Sequence, residues 1–154
     1  MILYIQNTDI IELLGLNMLP EEEQETAFED FQISLLSNFI NRIENDKSLN
    51  LPSDILDILK NTNEDIPDIT KTLQAYPNLA QAYIEEEYNL KKNVLTDQLK
   101  DFKEVLEKSG NQSEEISKII NSIDELLNIV SSNDQNNEFE HKYLEYQKLV
   151  KLKQ

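Results

Sequence analysis

The chain has 154 residues, with 30 acidic side chains against 14 basic ones, a formal charge of −16 and a pI near 4.3. Without cysteine it has no disulfide, thiolate zinc site or cysteine nucleophile. So acidic a balance lacks the clustered Lys/Arg that direct contact with nucleic acid or an anionic membrane requires. Two glycines and four prolines are few for the turns and bulges of a sheet fold, so the expected class is all-α.

Met1-Ile2-Leu3-Tyr4-Ile5 has neither a basic flank nor a long apolar run. It reads as no signal peptide and no membrane span, and is expected to be extended or irregular. A short helix follows, with Thr8 as its cap, Ile10, Ile11, Leu13 and Leu14 as its apolar face, and Gly15 at the C′ position. Leu19-Pro20-Glu21-Glu22-Glu23 opens the next helix, since proline suits a first turn and acids suit the positive end of the helix dipole. Phe28, Phe31, Leu35, Phe39 and Ile43 form a stripe along it at steps of three and four. Ile33, Leu36 and Ile40 widen that stripe, so the helix is expected to pack on more than one neighbour and to end between Asn45 and Lys47.

Leu51-Pro52-Ser53-Asp54 repeats the opening, and Ile55, Leu56, Ile58 and Leu59 point inward on about two turns. These two helices read as an antiparallel hairpin. Residues 61–65 form a polar break, Ile66-Pro67-Asp68 starts another short helix, and Tyr76-Pro77 interrupts it. One long helix spans residues 77–109, with Glu87 before Lys91 and Glu104 before Lys108 as favourable i, i+4 pairs. Gly110-Asn111 stops it and Ser113 caps the next. There Ile116, Ile119, Ile120, Ile123, Leu126, Leu127 and Val130 keep heptad spacing. A loop over residues 131–137 leads to a last helix bearing Phe139, Tyr143, Tyr146 and Val150, with Lys148, Lys151 and Lys153 near its negative end. The expected architecture is a helical hairpin region, residues 1–75, followed by an up-down-up three-helix bundle, residues 77–154. The two regions could also form one continuous domain.

Half of the net charge falls in the first third of the chain. Residues 1–50 hold ten acids against Arg42 and Lys47. Glu21, Glu25 and Glu29 follow at four-residue steps with no Lys among them, so like charges line one helix ridge at a few tenths of a kcal/mol each. Such a ridge is a solubility device or a docking surface.

Motifs for chemistry are sparse. Glu138-Phe139-Glu140-His141 contains the Glu-x-x-His of di-iron bundles, but a second such motif is required and His141 is the sole histidine. A surface pair with Glu145, one turn on, is the expected role. Glu85-Glu86-Glu87 point in three directions on a helix and read as a solvated face rather than a cation site. Residues 61–68 and 133–140 are oxygen-rich but lack the central glycine and ligand spacing of a calcium loop. No phosphate loop, nucleophile elbow or catalytic triad is present. Neither a cofactor, a metal site nor catalytic residues are therefore expected. Tyr88 falls about half a turn off the Leu79/Tyr83 stripe and reads as an interface residue.

The stretch from Ile11 to about Lys92 resembles an uncharacterised family of small acidic bacterial proteins, a domain of unknown function. Leu14-Gly15-Leu16 matches its short first helix and Leu19 to Glu23 its second start. Residues 51–59 match its second long element, and Tyr76-Pro77-Asn78-Leu79 with Ile84-Glu85-Glu86 its acidic helix. The resemblance implies helices and a bacterial origin, and supplies no activity. The residues beyond about 100 depart from the family's short members.

The functional expectation is a cytoplasmic, non-enzymatic adaptor or accessory subunit. It binds a basic protein partner through Glu21, Glu25 and Glu29 with adjoining apolar residues, and Tyr88 as a further contact. Two alternatives stand beside it: an acidic nucleic-acid mimic that inhibits a DNA- or RNA-binding protein, and a self-assembling helical protein joined through residues 116–130.

Overall fold

Left-handed backbone is available without strain only at glycine, and both glycines of this chain use it: Gly15 has φ 69° and Gly110 φ 68°. Between them and after them the computed structural model, which describes residues 1–49, 53, 56, 57, 70–132 and 138–151, is helical, with no strand among the described residues. The chain is all-α. Its helices are α1 (Leu3–Asn7), α2 (Ile10–Leu13), α3 (Glu21–Asn45), α4 (Thr70–Ala75), α5 (Pro77–Lys108), α6 (Glu114–Ser132) and α7 (Glu138–Lys151). None of the described helices is long and apolar enough to cross a membrane.

Helix α1 corrects the expectation of an irregular start. A five-residue helix is not stable alone, but Ile2 and Ile5, three residues apart, are both buried, and their burial holds the turn. Thr8 is not the cap of α2. Its own N–H closes α1 on the Tyr4 carbonyl, and the Asp9 carboxylate accepts from Ile11 N–H at 2.8 Å instead. A carboxylate at a helix N-terminus also gains from the dipole, which a hydroxyl does not.

Pro20 opens α3 as its N-cap, and its carbonyl accepts from the N–H groups of Glu23 and Gln24. The stripe along α3 is buried only in its second half, at Leu35, Phe39 and Ile43. Phe28 is 38% exposed and Ile33 63%, and among the described residues the first half of the stripe is not buried. The expected helix at residues 51–59, and with it the hairpin, lies almost wholly outside the described residues, as do the polar break at 61–65 and the helix start expected at Ile66-Pro67-Asp68. Tyr76 separates α4 from α5 as expected and accepts the first bonds of α5 from Leu79 and Ala80.

The chain forms two compact units, and they are not residues 1–75 and 77–154. Unit 1 is Met1–Leu14 with Lys91–Gln154, and unit 2 is Gly15–Leu90, so the boundary falls within α5. Long-range contacts of the first fourteen residues draw them to the C-terminal helices. The Tyr4 ring lies 6.1 Å from Phe139 and 5.9 Å from Tyr143. Tyr143 donates its hydroxyl to the Leu13 carbonyl. Gln98 donates to the Leu14 carbonyl and Lys91 to that of Gln6, each at 3.1 Å.

Within unit 1 the end of α5, α6 and α7 run up, down and up. Lys103 near the end of α5 pairs with Asp124 midway along α6 at 2.6 Å, and Glu125 pairs with Lys142 of α7 at 3.0 Å. Ser113 caps α6 through Ile116 N–H. Leu95, Leu99, Ile119, Ile123, Leu126 and Phe139 are at most 1% exposed. Burial of each such side chain stabilises by about 1.5–3 kcal/mol, against about 0–1 kcal/mol for an exposed ion pair. Packing holds this unit, and the ion pairs add little to it.

Unit 2 has a smaller core of Phe39, Ile43, Leu79 and Ala82, with Leu49, Leu56, Leu73 and Tyr83 packed against it. Phe39 and Tyr83 meet edge to face, ring centres 5.3 Å apart.

Candidate functional site

Unit 2 carries most of the charge of the chain. Residues 15–90 contain sixteen acidic and four basic side chains, so −12 of the −16 belongs to them. Glu21, Glu25 and Glu29 are exposed, and no described Lys or Arg pairs with any of them. Ile33 continues their four-residue ridge, and Phe28 lies beside it. Immediately before the helix, Met18 is 88% exposed and Leu19 also faces solvent. Gln24 ties this start together by donating to the carbonyls of Leu19, at 2.8 Å, and Asn17, at 3.1 Å. The result is a mixed surface on one helix: three carboxylates in a row, with four apolar side chains at its ends and flank.

Arg42 could in principle relieve this charge, but it is committed elsewhere. Its guanidinium donates to Glu85 at 2.6 Å, to Glu86 at 3.4 Å and to the Ala82 carbonyl at 3.2 Å. Its bond holds the Glu85 carboxyl below the ordinary carboxylate range, with Gln81 assisting. Glu85 and Glu86 are therefore neither a solvated face nor a cation site; they join α5 to α3 within unit 2. The expectation failed because it considered the α5 helix alone. The signal that could have found the clamp was the single arginine of the chain on the helix that precedes an acidic run.

The remaining candidates resolve as follows. Tyr88 is 4% exposed, so the expectation of a partner-facing tyrosine is corrected: half a turn off one stripe, it still points to the interior of the folded chain. The apolar face of α6, which the self-assembling alternative would use, is covered within the chain at Ile116, Ile119, Ile123, Leu126 and Val130. Heptad spacing fits an internal helical bundle as well as it fits an intermolecular one. His141 pairs with Glu145 at 3.1 Å on the surface of α7. Among the described residues no three His, Cys, Asp or Glu side chains converge to hold a metal ion.

Compared with known protein families, curated proteins and solved structures, the chain matches none.

Proposed function

We propose that this chain is a non-enzymatic adaptor or accessory subunit that docks a basic protein partner on the first half of α3, through Glu21, Glu25 and Glu29. The observation that carries this reading is an exposed, uncompensated acidic ridge that runs into exposed apolar side chains at Phe28 and Ile33. Interfaces combine an apolar centre with charged surroundings, and complementary charge steers encounter and fixes register. A cytoplasmic setting belongs to the same proposal and rests on the cysteine-free composition.

The test is affinity capture from the native cell at low and high salt, run in parallel with the chain carrying E21Q, E25Q and E29Q together. A protein retained by the natural chain in high salt and lost with the triple variant is the expected result. Retention that collapses steeply with salt points to a nucleic-acid mimic working through many ion pairs. Recovery of no specific partner at either salt, or equal recovery by the triple variant, overturns the docking reading.

A further inference from the structure

Residues 1–14 are separated from the rest of unit 1 by the whole of unit 2 in sequence, and they hold their place unlike the helices around them. Helices of five and four residues have no stability of their own in water, so α1 and α2 depend on being docked. Ile5 and Leu13 are fully buried and Ile2 and Ile10 nearly so, while Tyr4 lies by the rings of Phe139 and Tyr143. The polar ties follow one pattern. Short helices leave their last carbonyls without intrahelical partners. Those of Gln6, Leu13 and Leu14 accept from the side chains of Lys91, Tyr143 and Gln98, all on α5 and α7. Helices α6 and α7, by contrast, pack closely backbone to backbone, and neither α1 nor α2 approaches another described helix to that extent.

We propose that residues 1–14 are a strap that leaves and rejoins its seat on α5 and α7 as one unit while the rest of the chain stays folded, and that the opened seat takes the same segment from a second copy of the chain. Elements seated through side chains, with sparse backbone approach, open more readily than a close-packed core. What stays behind keeps its own supports. Lys103–Asp124 joins α5 to α6, Glu125–Lys142 joins α6 to α7, and the core of unit 2 contains no residue of the strap. The seat recognises carbonyls and apolar side chains, and an identical segment supplied in trans presents both again. Charge opposes this exchange only weakly, because unit 1 carries just −4 of the −16 and the strap brings only Asp9 and Glu12.

Two measurements on the full chain test the strap. In hydrogen exchange of the natural chain, the amides of Gln6, Thr8, Leu13 and Leu14 are each bonded within the strap. They should share one protection, about tenfold or more below that of the slowest α6 amides. Protection equal to that of α6 makes the segment part of one indivisible core and overturns the proposal. So does the lack of any common protection, which is residue-by-residue fraying. In the second measurement, a fluorescent peptide of residues 1–14 is titrated against the natural chain and its I5D variant by anisotropy. An aspartate is not buried there unpaired, so I5D withdraws the chain's own strap. The variant should keep its α6 and α7 amides protected and bind the peptide about tenfold or more tightly than the natural chain, whose own strap competes. A peptide that itself carries I5D should bind neither chain. Loss of α6 protection in the I5D chain, equal peptide binding by both chains, or equal binding of the two peptides each overturns the proposal.

Discussion

Arg42 shows how much one side chain can organise when it is the only one of its kind. Its planar fork serves two carboxylates and a carbonyl at once, a geometry that a lysine ammonium does not reproduce. The group is partly exposed, so solvent screening keeps the gain modest. R42A should destabilise unit 2 by about 1–2 kcal/mol, with R42K intermediate, in denaturant titrations followed by helicity. The effect should depend on pH. The Glu85 carboxyl titrates lower in the folded chain than when unfolded, chiefly because Arg42 bonds it. Its contribution is therefore complete above the ordinary carboxylate value and is lost as pH falls through the depressed folded value. The difference between R42A and the natural chain should be largest at neutral pH and shrink in acid. A difference that is flat from neutral to acid pH rejects the clamp as its origin.

At the scale of the element, α3 is one helix with two roles. Its second half is fixed by Leu35, Phe39 and Ile43; its first half is fixed by little beyond its own backbone, the Pro20 start and the Gln24 side chain. Like charges at four-residue steps weaken that half. E25K would turn two repulsive pairs into two attractive ones, with Glu21 and Glu29, and should stabilise the chain by about 0.5–1 kcal/mol in thermal melts. The same substitution should weaken partner capture. Greater stability with poorer binding is the signature of a surface kept for contact, whereas a variant that captures its partner as before removes Glu25 from the interface.

Over the whole molecule, charge is distributed unequally, and unit 1 carries a cluster of touching rings. Unit 2 holds most of the acidic excess, and unit 1 gathers Tyr4, Phe139, Tyr143 and Tyr146. Burial raises the phenol of Tyr143 strongly and pushes that of Tyr146 up to about 12. Burial likewise raises Tyr4, with help from Glu12 and Glu140. A phenol whose folded value lies above its unfolded one stabilises the fold up to the ordinary value near 10.0, and loses that contribution as pH climbs towards the folded value. Unit 1 should therefore melt in alkali, with helicity falling as phenolate absorbance rises above the ordinary tyrosine range. Y143F should move that transition to higher pH. Ionisation of these rings at the ordinary value with helicity intact would falsify the account.

The all-α class, the starts of α3, α5 and α6, the glycine stops and the long run of α5 are legible in the residues alone, because caps, prolines and heptad spacing act over a few residues. So is the ridge of Glu21, Glu25 and Glu29, since a run of like charges needs no neighbour to be seen. That residues 1–14 belong with the C-terminal helices, that Arg42 gathers Glu85 and Glu86, and that Tyr88 is buried come from the folded chain. It also decided that the stripe of α3 is buried at Leu35, Phe39 and Ile43 and not, among the described residues, before them. Each of these depends on partners that are distant in the chain, and helical periodicity records which side of a helix is apolar without recording what, if anything, comes to cover it.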